Sequence, residues 1–229
     1  MTTTPPRAVK KPVSRDIHGI MLSDDYAWLR ADNWQEVMRD PAVLDADIRA
    51  YLEAENSWLE NTMAPTQDLQ KTLFEEMKGR IKEDDSSVPS PDGEYAYGVK
   101  YVTGGQQPLF VRTSHDGDDE TVLVDGNKEA EGRDYFRFGG ASHSPDHKLV
   151  AYGYDDRGSE FFTLVVREAG SSKNLADVIA DTSGSAVWSA DCKHIFYIRL
   201  DENHRPSKLF RHEIGTPVSE DVLVHEETD

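Results

Sequence analysis

Few residues in this sequence stand at spacings that chemistry requires. A Gly-x-Ser-x-Gly elbow would mount a serine nucleophile between a strand and a helix. The nearest string, Gly140-Ala141-Ser142-His143-Ser144, lacks the closing glycine and falls at a strand turn, so Ser142 is not expected to be catalytic. His143 and His147 are four apart, a ligand spacing on a helix, but here they straddle a turn. They read as turn and surface histidines rather than zinc ligands. The string Asp125-Gly126-Asn127-Lys128-Glu129-Ala130 opens like a calcium loop, yet Ala130 stands where glycine is required and Phe136 where the bidentate Glu belongs. It reads as a solvated acidic turn. The acidic run 116–120, interrupted by Gly117, reads as a solvated hairpin loop. Cys192 has no activating neighbours and reads as an inert strand residue. Walker and Gly-x-Gly-x-x-Gly loops are both missing. The expectation is a chain with no catalytic, cofactor-binding or metal-ligating residue.

What recurs is a turn. Ser90-Pro91-Asp92, Ser144-Pro145-Asp146 and Ser189-Ala190-Asp191 each precede a short apolar strand, and their aspartates are 54 and 45 residues apart. Each unit then carries an apolar strand ending in Arg112, Arg167 or Arg211, at Asp-to-Arg offsets of 20, 21 and 20. Proline presets such a turn and aspartate caps its own backbone. Antiparallel neighbours place the start of one strand beside the end of the next. Asp92 is therefore expected near Arg112, Asp146 near Arg167 and Asp191 near Arg211. Two outcomes are open: an ion pair across the hairpin, or a local turn cap with a solvated arginine.

These turns imply a mainly β architecture. Each unit holds about four short strands in roughly 45 to 50 residues, the period of a propeller blade. The first unit is the least regular, while the others open with an additional strand at 135–138 and 185–188. Three units fall short of the roughly four to eight blades of a closed propeller, so a partial β-propeller is expected.

Residues 1–82 follow a different pattern. The first 16 are Pro- and Lys-rich and read as extended; a turn-and-helix segment follows at 24–30. Asp40 before Pro41 is a helix-start signature. Leu44, Ile48, Tyr51, Leu52, Trp58 and Leu59 then form one apolar stripe. Pro65 is expected to end that helix and Thr66 to cap the next, whose stripe is Leu69, Leu73, Phe74, Met77 and Ile81. A breaker-rich joint at 83–91 places a boundary near residue 83, giving a helical segment 1–82 and a propeller segment 83–229.

Composition excludes several classes. The 229 residues carry 25 basic against 43 acidic side chains, a net −18. That charge repels nucleic-acid backbones and anionic membranes. One cysteine precludes an intrachain disulfide, and zinc sites of four Cys or of two Cys and two His. With neither a secretory signal nor an apolar run of membrane length, a cytoplasmic location is expected.

Several strings occur in a telling order: Ile17-His18-Gly19, Asp25-Tyr26-Ala27-Trp28-Leu29-Arg30, Tyr51-Leu52-Glu53-Ala54-Glu55-Asn56 and Glu75-Glu76-Met77-Lys78-Gly79-Arg80-Ile81. The Ser-Pro-Asp units, Val187-Trp188-Ser189-Ala190-Asp191 and Gly215-Thr216-Pro217 follow. From about residue 10 onward the chain resembles the N-terminal part of the prolyl oligopeptidase family of serine peptidases, nearest its oligopeptidase B branch. The resemblance implies a seven-bladed propeller over an α/β-hydrolase domain, of which these would be the first three blades. It implies that the helical segment packs on the hydrolase domain. The Ser, Asp and His of the triad, and the acidic groups selecting Lys or Arg, would lie beyond residue 229. The implied partners are the remainder of the same polypeptide and short basic peptides, with no cofactor; the chain alone is expected to be inactive. Two alternatives stay open: a non-catalytic propeller-like binding module, and a prolyl-specific enzyme of the same family.

Overall fold

A computed structural model describes residues 4–114 and 119–228. The chain divides into two compact units, Met1–Ile81 and Lys82–Asp229.

The first unit opens on a hairpin that the sequence reading did not anticipate. Strands β1 (Val13–Ile17) and β2 (Ile20–Asp24) pair antiparallel, with Ile17 opposite Ile20. The two turn residues, His18 and Gly19, both have positive φ, 55° and 80°. That geometry matches the right-handed twist of the flanking strands. The Asp16 carboxylate accepts the Gly19 N–H at 2.8 Å.

Helix α1 spans Trp34–Arg39. The Asp40-Pro41 signature starts only a 3-10 turn, Pro41–Val43, with Asp40 accepting the Ala42 N–H. Leu44 then turns extended, and Asp45 caps the long helix α2, Ala46–Met63, through the N–H groups of Asp47 and Ile48. The helix therefore begins five residues later than Pro41 indicates. A 3-10 turn, Ala64–Thr66, carries the chain past Pro65 into α3, Gln67–Lys78. Thr66 does not cap α3: its hydroxyl donates to the Met63 carbonyl and accepts from Gln70. Of the two apolar stripes only Ile48 is buried, while Leu69, Leu73, Phe74, Met77 and Ile81 stand exposed.

The second unit is three four-stranded antiparallel sheets, each a simple meander. Sheet one is β3 (Ser90–Asp92), β4 (Tyr95–Lys100), β5 (Leu109–Ser114) and β6 (Glu120–Asp125). Helix α4, Gly126–Ala130, follows. Sheet two is β7 (Arg137–His143), β8 (Leu149–Asp155), β9 (Phe162–Glu168) and β10 (Asn174–Thr182). Sheet three is β11 (Ala186–Trp188), β12 (His194–Leu200), β13 (Pro206–Glu213) and β14 (Val222–Glu226). Sheet one has its own opening strand after all, made from the Ser-Pro-Asp string itself, which pairs with Tyr95–Tyr97 instead of turning.

Period-two alternation builds the stack. Along β8, Val150 and Tyr152 join Tyr97, Leu123 and Val124 of sheet one, whereas Ala151 between them joins Ile195 and Tyr197 of sheet three. Strand β9 splits likewise, Val165 to one side, Leu164 and Val166 to the other. Sheet two is thus apolar on both faces and needs a neighbour on each. Burying each of these aliphatic side chains stabilises by about 1.5–3 kcal/mol. Sheet three leaves Val187, Val222, Leu223 and Val224 exposed. Among the described residues, no helix is long and apolar enough to cross a membrane.

Candidate functional site

The recurring aspartates act as turn caps in the second and third units. Ser144 Oγ donates to Asp146 Oδ1 at 2.7 Å and accepts the Leu149 N–H, while Asp146 also accepts the Lys148 N–H. Ser189, Asp191, Lys193 and His194 repeat that pattern. The serine hydroxyl, as the leading cause, holds each of these two carboxyls below the usual carboxylate range. Each turn closes on a residue with positive φ, His147 at 61° and Cys192 at 61°. Cys192 accordingly lies in a turn rather than in a strand.

Among the described residues, none of the three aspartates pairs with its arginine. Register is the reason. Arg112 lies opposite Tyr97, Arg167 opposite Val150 and Arg211 opposite Phe196. Each arginine is thus four or five residues beyond its aspartate, at roughly 3.3 Å per residue. Arg112 instead donates to the His147 carbonyl at 2.6 Å and lies over the Tyr95 ring. Arg211 is exposed on β13.

Arg167 enters a buried network. Its guanidinium donates to Asn174 Oδ1 at 2.6 Å, to Glu129 Oε1 at 2.5 Å and to the Tyr152 hydroxyl at 3.1 Å. Tyr152 donates in turn to Glu129. Burial pushes the Tyr152 hydroxyl up to about 12. Glu129 is delivered by α4, which Asp125 caps through the N–H groups of Asn127 and Lys128. The stretch read as a solvated acidic turn is therefore a capped helix whose half-buried Glu129 pairs with Arg167. Of the acidic run, residues 116–118 lie outside the described residues.

His212 is the buried group that the sequence reading missed. It has no exposed surface; Nδ1 faces Asp221 Oδ1 at 2.6 Å and Nε2 faces Asp177 Oδ1 at 3.0 Å. Both ring nitrogens are thus engaged with carboxylate oxygens. Asp221 also accepts from the Tyr197 hydroxyl and Asp177 from the Gly215 N–H. Burial, followed by the bond to Asp221, raises the Tyr197 hydroxyl above its ordinary range. The signal was present: His212 is two residues past Phe210, on the core-facing phase of β13.

His143 and His147 are half-buried rather than surface groups, and they meet Asp92 across the seam between sheets one and two. His143 stacks on Tyr97 at 3.6 Å between ring centroids. Ser142 is engaged elsewhere: its hydroxyl donates to the Ala186 carbonyl at 3.0 Å, while Trp188 Nε1 donates to the Ser142 carbonyl. Those bonds tie sheet two to sheet three. The polar groups assembled here cap turns or link neighbouring blades.

A family model described as the N-terminal beta-propeller domain of prolyl oligopeptidase matches residues 5–229. Dipeptidyl aminopeptidase BI of Pseudoxanthomonas mexicana is 33% identical, over 100% of this chain and 33% of that protein. Protease 2 of Moraxella lacunata is 29% identical, over 98% of this chain and 32% of that protein. Among solved structures, oligopeptidase B from Leishmania major superposes with a TM-score of 0.88 at 28% identity, over 100% of this chain and 33% of its own. The chain spans about a third of the length of these relatives.

Proposed function

We propose, because this chain belongs to the prolyl oligopeptidase family of peptidases, that it forms the N-terminal third of a serine oligopeptidase of the oligopeptidase B kind. In this reading the whole enzyme cleaves short peptides after Lys or Arg. Coverage is the observation that carries it: relatives with peptidase names match this chain from end to end, and the match occupies a third of each of them.

The division of labour follows. A serine beyond residue 229 attacks the scissile carbonyl while a histidine takes its proton. Oriented N–H donors hold the resulting oxyanion. The histidine returns the proton to the departing amine, and water then releases the acyl group. The residues of this chain build the first blades of a lid that restricts the site to short, unfolded peptides. The exposed apolar stripe of α3 and the turn after it, from Leu69 to Ile81, is the surface that the hydrolase domain covers. The net −18 favours encounter with cationic peptides. By this reading, the 229-residue chain alone has no peptidase activity.

The test is a comparison of fluorogenic peptides with Arg, Lys or Pro before the reporter, using the complete polypeptide. Cleavage after Arg and Lys, with resistance of the same site inside a folded protein, is the expected result. Cleavage after Pro alone would move the enzyme to the prolyl-specific branch. No cleavage of any peptide would leave a binding module.

A further inference from the structure

We propose that Asp92, His143 and His147 form a zinc site that clips the first blade to the second. Their ligand atoms all lie within 4.8 Å of one another, and Asp92 Oδ2 is 3.4 Å from His143 Nε2. Four tetrahedral ligands with bonds of about 2.0–2.2 Å sit roughly 3.3–3.6 Å apart, so that pair already has the spacing of two ligands on one ion. Asp92 is exposed and can make the remaining adjustment by a side-chain rotation.

Both rings are oriented as metal-binding histidines are, with the far nitrogen held by an oxygen. His143 Nδ1 is 3.1 Å from the Ser144 carbonyl, an acceptor only, so Nδ1 is engaged there and Nε2 is the nitrogen that faces Asp92. His147 Nδ1 contacts the Tyr97 hydroxyl at 2.8 Å, which leaves Nε2 for the ligand role.

The backbone makes room for that nitrogen. A Cβ on residue 93 would lie 2.6 Å from His147 Nε2; Gly93, at φ 58°, has none. Two imidazoles and one carboxylate suit zinc better than magnesium or calcium, which prefer oxygen. A water would complete the four ligands, as in other three-ligand zinc sites. The ligands come from β3 and from the β7 end and following turn, so the ion would bridge two sheets. Binding only the folded state, it would raise the unfolding temperature.

The experiment is a zinc titration by calorimetry of the complete, tag-free protein after chelator treatment, with D92N and H143Q beside it. Cobalt titration, followed by visible absorption, reports geometry. The expected result is one saturable zinc per chain, weakened about tenfold or more in both variants. Cobalt should give the intense absorption of a tetrahedral site, and zinc should raise the unfolding temperature of the unaltered protein but not of D92N. Asp92 is exposed, so its amide variant keeps the fold. Absence of saturable binding, or equal binding by all three proteins, would overturn the proposal.

Discussion

Replacing Gly153 by alanine should drive the second and third blades apart. A Cβ at this position would lie 2.2 Å from the Gly184 carbonyl oxygen and 2.8 Å from its carbon. Restoring ordinary contact at roughly 3.5 Å needs the two chains to separate by roughly 1.3 Å. Neither side can yield by a rotamer change, because both are backbone. Gly184 cannot retreat either, since its own Cα side rests on the Phe162 ring. The seam to be opened buries Ala151, Leu164, Ile195 and Tyr197. Overpacking usually costs about 1–3 kcal/mol, and this rigid case belongs at the upper end. At a urea slope of about 2 kcal/mol/M, a loss of ~3 kcal/mol lowers the midpoint by roughly 1.5 M. Trp188 reports the event, being the only tryptophan in residues 82–229 and hydrogen-bonded across the seam to the Ser142 carbonyl. Gly170→Ala, where a Cβ meets open space, is the control, expected within ~0.5 kcal/mol of the parent. A G153A midpoint equal to that of G170A would refute the close backbone approach between these blades.

Two further outcomes follow from the buried polar groups. His212→Ala strips a shared hydrogen-bond partner from the buried Asp177 and Asp221, and leaving a buried polar group unsatisfied costs about 1–3 kcal/mol, measurable by the same urea curves. A loss below about 1 kcal/mol would show that the three groups are not coupled. Tyr152, raised to about 12 from an ordinary 10.0, is held protonated more tightly by the folded state than by the unfolded one. Its contribution is therefore intact below pH 10 and is lost as pH rises from there towards 12. The phenolate absorbance difference between the parent and Y152F should appear only towards pH 12, and a Tyr152 signal centred near 10 would contradict the buried network.

The blades were legible because their determinants are local. The Ser-x-Asp turns and the period-two strands each specify one hairpin, and a repeat of hairpins specifies a meander. What escaped was set by register or by distance along the chain. One cannot read from spacing alone that Arg112 faces Tyr97 instead of Asp92; the tightness of the turn decides it. The first Ser-Pro-Asp string is chemically like the second, yet it pairs as a strand because Gly93 and Glu94 supply the turn. Asp40-Pro41 has the right residues for a helix start, but Asp45, with two N–H groups to accept, is the stronger cap. Asp92, His143 and His147 converge from opposite sides of a blade seam, 51 and 55 residues apart, so no local spacing could bring them together on paper.

The central claim is that these blades belong to a larger peptidase, and its most direct test is to read the encoding DNA past the codon for Asp229. The frame should continue through further blade repeats into a strand, a Gly-x-Ser-x-Gly turn and a helix, followed by the Asp and His of a triad. An in-frame stop immediately after that codon would contradict it.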